Sequence, residues 1–102
     1  MTAALAIKVS SRASAQIDEV AEWWADNRPS APGAVRHDVS EVLGLLIYQP
    51  GAGTPARRSR VPGVRRAILP RIRYYLYYRV SGSTLEVLAF RHMSRSRQPY
   101  GF

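Results

Sequence analysis

The side chains with chemical capacity crowd into the second half of this sequence. Residues 51–102 hold eleven arginines against one acid, Glu86, whereas residues 1–50 hold four cations against six acids. Arginine carries a planar, permanently charged fork that matches phosphate and carboxylate groups. Arg65, Arg66, Arg73 and Arg91 could therefore steady the charge that builds on a phosphorane when RNA is cleaved by its own 2′-hydroxyl. Such cleavage also needs a base for that hydroxyl and an acid for the leaving 5′-oxygen. The candidates are His92, Glu86 and Tyr100, a thin supply, and a single histidine at a strand end is more often structural than catalytic. Metal and cofactor chemistry find no footing. There is no His-Glu-x-x-His, no carboxylate cluster for magnesium, no Ser-His-Asp set, no phosphate loop and no cysteine, and His37 stands without a nearby second ligand. The sequence implies neither a metal nor a cofactor.

The same residues support binding without catalysis. Arginine can neutralise phosphates while tyrosine stacks on the bases of single-stranded RNA. Arginine, tyrosine and phenylalanine are equally the residues of protein interfaces, and an apolar, basic groove suits an acidic amphipathic segment. A hairpin of Ile72–Val80 and Thr84–His92 would position them, with Gly82-Ser83 as a two-residue turn that needs a positive φ at glycine. This turn places Tyr74, Leu76, Tyr78 and Val80 opposite Arg91, Ala89, Val87 and Leu85 on a mostly apolar face suited to packing on helices. The other face carries Arg73, Tyr75, Tyr77 and Arg79 opposite His92, Phe90, Leu88 and Glu86, with Arg79 and Glu86 as a favourable cross-strand pair. A chain end that folds back, with Tyr100 and Phe102, is the alternative fate of these rings.

The rest of the chain must support that hairpin. Leu5, Ile7 and Val9 alternate with Ala6 and Lys8, the period of a short first strand. Ser11 offers an N-cap hydroxyl, and Ala13, Ile17, Val20, Ala21 and Trp24 form a helical stripe over 11–27, stopped at Asn27-Arg28-Pro29. Asp18, Glu19 and Glu22 lie off the stripe, on a solvated face. A second stripe, Val35, Val39, Val42, Leu43, Leu46 and Ile47, predicts a helix over 31–48 with Pro32 in its first turn. The short link between the stripes implies an antiparallel helical hairpin. A loop at Gln49–Pro55 follows, then a basic edge strand at Ala56–Val61 and a further strand at Val64–Leu69. Helices followed by strands predict an α+β fold, in which the short N-terminal strand and the helical hairpin pack on one face of a twisted, mainly antiparallel β-sheet. The expected core is Ile17, Val20, Trp24, Val39, Val42, Leu46, Leu76, Tyr78, Val80, Leu85 and Val87.

Bulk properties narrow the setting. A chain of 102 residues, 46% hydrophobic, supports one compact domain over 1–102, and the lack of cysteine excludes a disulfide scaffold. The longest apolar stretch, Val42 to Tyr48, is far short of the ~20 residues that span a bilayer. Lys8 follows the first apolar run where a secretory signal would have its cation first, so a cytoplasmic protein with no membrane partner is expected. A net charge of +8 points to nucleic acid or an acidic protein as partner.

Several segments, in order and spacing, resemble the RelE/ParE superfamily of bacterial toxins from type II toxin–antitoxin pairs. Leu46–Gly53 is similar to its L-x-x-x-P-x-x-G segment, Gly63-Val64-Arg65-Arg66 opens a strand, Tyr74–Val80 is similar to its Y-x-x-Y-Y-R-V strand, and Leu85–His92 to its final strand. The likeness covers nearly the whole chain. Two long helical patterns and a single lysine, Lys8, make it closer to the ParE branch than to the RelE branch. The ParE resemblance implies a growth-inhibiting, plasmid-stabilising toxin that binds and poisons DNA gyrase without a catalytic residue or cofactor, and that a small acidic antitoxin neutralises. Arg65, Arg66, Arg91, Arg95 and Arg97 would then meet the target, and Arg73, Tyr75, Tyr77, Arg79 and Phe90 the antitoxin. The RelE alternative implies a ribosome-dependent, metal-independent messenger-RNA endoribonuclease with His92, Tyr100, Arg65 and Arg91 at its site. A generic basic nucleic-acid-binding domain is the third reading.

Overall fold

The computed structural model describes residues 3–95. The chain runs β1 (Ala6–Val9), α1 (Ser11–Asn27), α2 (Ala34–Leu46), a 3₁₀ turn (Pro50–Ala52), β2 (Thr54–Pro55), β3 (Arg65–Leu69), β4 (Tyr74–Ser81), β5 (Thr84–His92) and a second 3₁₀ turn (Met93–Arg95). The five strands form one sheet in the order β1-β5-β4-β3-β2. β1 lies parallel to β5, and the other pairings are antiparallel. Both helices pack on one face of the sheet, where Ala13, Ile17, Val35, Val39 and Leu46 meet Leu76, Tyr78, Leu85, Val87 and Phe90. This is the expected α+β arrangement.

α1 has the predicted span, but its cap is Ser10, one residue before the serine expected: the Ser10 hydroxyl oxygen accepts from the Ala13 amide at 3.0 Å. α2 begins at Ala34, later than expected, because Ala31–Ala34 closes a separate turn and leaves Pro32 outside the helix. Of the expected core, Ile17, Val39, Leu46, Leu76, Tyr78, Leu85 and Val87 are buried, and Val20, Trp24 and Val42 pack partly buried against them. Val80 is the exception at 42% exposure. It pairs with buried Leu85 near the turn end of the sheet, in one row with exposed Ile7.

The edge strand is the two-residue β2, not 56–61. The Ala56 amide bonds the Val64 carbonyl at 2.8 Å, and Ser59 holds the chain between them in turns, so this segment forms an irregular loop. β4 starts two residues later than expected because Arg73 adopts a left-handed conformation, φ 63°, and its amide closes a turn onto the Leu69 carbonyl.

The hairpin keeps the predicted register only near its turn, where Gly82 has φ 60°. Ser81, Val80, Arg79 and Tyr78 pair with Thr84, Leu85, Glu86 and Val87; a bulge then skips Leu88, so that Tyr77, Leu76, Tyr75 and Tyr74 pair with Ala89, Phe90, Arg91 and His92. One extra residue exchanges the faces of everything beyond it. Phe90 and His92 turn to the helix side and Arg91 to the opposite side. α1 secures the bulge: the Ser10 hydroxyl donates to the Leu88 carbonyl at 3.2 Å, and the Phe90 amide donates to Gln16 Oε1 at 2.8 Å.

Candidate target-binding face

The sheet face away from the helices holds the densest grouping of the predicted residues. Arg66 on β3 lies over the ring of Tyr75 on β4, its guanidinium carbon 4.1 Å from the ring centroid, and Tyr75 pairs directly with Arg91 on β5. All three are half-buried. A guanidinium on a tyrosine face keeps its charge while losing freedom, which presents a fixed cation to a partner. Arg79 lies further along the same face and bonds Glu86 at 3.0 Å, the cross-strand pair read from the sequence.

Other predicted residues do not reach this surface. Tyr77 is fully buried on this side beneath the loop after β2, packed with Ala56, Val64 and Ala89, so the 56–64 loop covers it. Phe90, moved by the bulge, is buried in the main core and stacks on Tyr74 at 4.6 Å. Neither offers a surface to an antitoxin. Arg73 is exposed on the turn before β4, apart from the Tyr75 face. Arg65 turns the other way, toward the helix side, and donates to the Gly53 carbonyl at 2.7 Å. Arg95 closes the second 3₁₀ turn, and Arg97, Tyr100 and Phe102 lie outside the described residues.

The proposed proton-transfer groups do not converge among the described residues. His92 faces the helix side while Arg91 faces away, and Glu86 is committed to Arg79. His92 Nδ1 accepts from the Ser94 amide at 3.1 Å and sits 2.8 Å from its hydroxyl, with the ring edge-on to Tyr74. Its ring lines a cleft between α1 and the turn before β4, beside Trp23, Trp24 and Arg28. Trp23 lay outside the predicted stripe and drew no assignment from the sequence; Arg28 stacks on both indoles. His37 does have neighbours of ligand type. Its ring, Asp38 and Glu41 place donor atoms within 4.8 Å of one another, although both Asp38 oxygens are engaged by Arg71, which Asp38 holds more firmly charged than an ordinary arginine.

The loop that joins helices to sheet explains the Leu46–Gly53 spacing. Leu46 is buried, the Tyr78 hydroxyl donates to the Pro50 carbonyl at 2.7 Å, and the Gly53 amide donates back to the same hydroxyl at 3.0 Å. A methyl group on Gly53 would strike that hydroxyl and come within 2.7 Å of the Arg66 carbonyl, so only glycine fits. Burial raises the Tyr78 phenol above its ordinary value, against smaller opposing effects of the Gly53 amide and Arg65.

Sequence reasoning missed the loop arginines Arg57, Arg58 and Arg60, all exposed, by reading them into a strand. Their signal was three arginines in four residues between Pro55 and Pro62.

Residues 7–97 match the family model described as the ParE toxin of the type II toxin–antitoxin system parDE. The chain belongs to the ParE toxin family. A solved structure from the chromosomal ParDE toxin–antitoxin system of P. aeruginosa is similar, with 28% identity, a TM-score of 0.69, and coverage of 86% of this chain and 95% of that one. No curated protein matches the sequence. Membership of the ParE family agrees with the branch that the helical patterns and the single lysine favoured. Among the described residues, no helix of this ParE-family chain is long and apolar enough to cross a membrane.

Proposed function

We propose that the chain is a cytoplasmic, single-domain ParE-type toxin that inhibits DNA gyrase by binding it, and that a small acidic antitoxin neutralises it. The observation that carries this reading is the contrast between two sets of side chains. Arg66, Tyr75 and Arg91 assemble on one exposed side of the sheet, as surface complementarity requires. His92, Glu86 and Arg65 point to different places, where cleavage of RNA would need them within reach of one phosphate. ParE family membership supports the same choice over a RelE-like nuclease.

Arg66 and Arg91 are the arginines best placed to meet the target, and the sequence offers Arg95 and Arg97 as further contacts. The antitoxin has a different seat available. Between α2 and the edge of β3, Val42, Leu45 and Ile68 line shallow grooves, with Leu45 and Ile68 about half exposed, and Arg66 and Arg71 stand at the two ends. An acidic amphipathic segment would lay its apolar side on this floor and its carboxylates beside the arginines. Exposed Arg73, which lines a cleft with Arg71 next to α1, extends the basic margin at that end, while Arg79 stays on the outer face, held by Glu86.

Inducing the chain without its antitoxin, while scoring gyrase supercoiling and DNA breaks beside messenger-RNA cleavage on ribosomes, tests the reading. Inhibited supercoiling with intact messages is expected. Codon-positioned RNA cuts with normal supercoiling would overturn it.

A further inference from the structure

We propose that the 57–60 loop and the adjoining outer sheet face bind the sugar-phosphate backbone of duplex DNA. The inference stands apart from the choice of gyrase as target.

The loop is built to present charge. Ala56 and Val64 are buried against Tyr77 and Ala89, with Val61 and Leu88 packed at the margin. Ser59 bonds the Val61 amide and carbonyl through its hydroxyl, and its own amide bonds the Ala56 carbonyl. Between these anchors Arg57, Arg58 and Arg60 are exposed. Arg66 and Arg91 continue the positive surface across the sheet, and the one acid of residues 51–102, Glu86, is held by Arg79. The loop and the sheet face it covers thus carry five arginines.

Three classes of anionic partner would suit five arginines, and the surroundings select among them. An acidic peptide needs apolar footholds, and the grooves against α2 reach this side only at the β3 edge, through Arg66 and Ile68, with no lining residue from the 57–60 loop. A single strand needs rings on which bases stack. Tyr77 and Phe90 are buried, and Arg66 covers the face of Tyr75, so the stacking platform read from the sequence is closed. What remains is neutralisation of phosphate, which is strongest where phosphates are densest; duplex DNA carries about one charge per 1.7 Å of axis. Backbone contacts of this kind hold a protein on DNA without reading its sequence.

The test is fluorescence anisotropy of a labelled duplex of arbitrary sequence with the purified chain, across a salt series. Five neutralised phosphates predict a slope of log affinity against log salt of about −4.5, on the order of a 500-fold loss between about 50 and 200 mM. The Arg57→Ala/Arg60→Ala variant alters exposed side chains and should melt like the parent. Its slope should fall to about −2.7, roughly a 40-fold loss over the same range. Absence of binding at the lowest salt, an unchanged slope in a folded variant, tighter binding to the single strand, or equal competition by polyglutamate would each overturn the proposal.

Discussion

Replacing Tyr78 by phenylalanine removes one oxygen and keeps the ring, so it isolates what the hydroxyl does at the junction between α2 and the sheet. In the parent that oxygen donates to the Pro50 carbonyl at 2.7 Å and accepts from the Gly53 amide at 3.0 Å, from a side chain with no exposed surface. The variant leaves a buried donor and a partly buried acceptor without partners, and each such loss costs about 1–3 kcal/mol. The carbonyl, nearer to solvent, belongs at the lower end, so the sum is about 3 kcal/mol. For a domain of this size that lowers Tm by roughly 10–20 °C. Thermal and urea unfolding followed by circular dichroism measure it. A pH series adds a second readout. The phenol is raised by burial, so the folded state favours its neutral form. That stability is complete below the unfolded value of about 10 and is lost as pH climbs from there through the higher folded value. The phenylalanine variant has no such group, so the gap between the two proteins should shrink above about pH 10. A difference below about 0.5 kcal/mol at neutral pH, or a gap that widens in alkali, would refute the account of this junction.

Gly53→Ala should cost about 2–4 kcal/mol by forcing the Tyr78 hydroxyl and the Arg66 carbonyl aside, measured by the same melts. Gln16→Ala should cost about 1–2 kcal/mol by stranding the Phe90 amide at the bulge, and hydrogen exchange at Phe90 should quicken. His92→Ala should leave growth inhibition intact; a loss of roughly 10²–10⁴-fold would instead mark a proton-transfer role. Arg66→Ala/Arg91→Ala should weaken growth inhibition strongly, with unfolding shifted by no more than about 1 kcal/mol, checked by plating and by urea titration.

The elements of this fold were legible where local signals are dense. Two apolar stripes and a pair of stop signals gave both helices, and the Gly82 turn gave the hairpin and its Arg79–Glu86 pair. The bulge at Leu88 was not legible, because its cause lies some seventy residues away in the Ser10 hydroxyl and the Gln16 amide oxygen. That one residue decides the fate of Phe90 and His92, so the candidate site changed more than the fold did. Alternation puts Arg65 and Arg66 on opposite faces, but which of them faces the helices follows from their pairing with Tyr78 and Tyr77; Arg65 then serves the Gly53 carbonyl and Arg66 the open face. The 57–60 arginines suffered the opposite error, since a run of basic residues next to strands carries no sign of whether it continues the ladder or leaves it. The family pattern, by contrast, registered features whose physical meaning only the structure supplies, above all Pro50 and Gly53 around the Tyr78 hydroxyl.

The proposed action of this ParE-family chain is to occupy gyrase with a surface, without transferring protons. The most direct measurement is a supercoiling titration of purified gyrase with the parent chain, His92→Ala, and Arg66→Ala/Arg91→Ala. Inhibition by the parent and by His92→Ala at the same concentration, with the arginine variant at least about tenfold weaker, is the predicted result. No inhibition by the parent, or inhibition lost with His92 and retained without the two arginines, would contradict it.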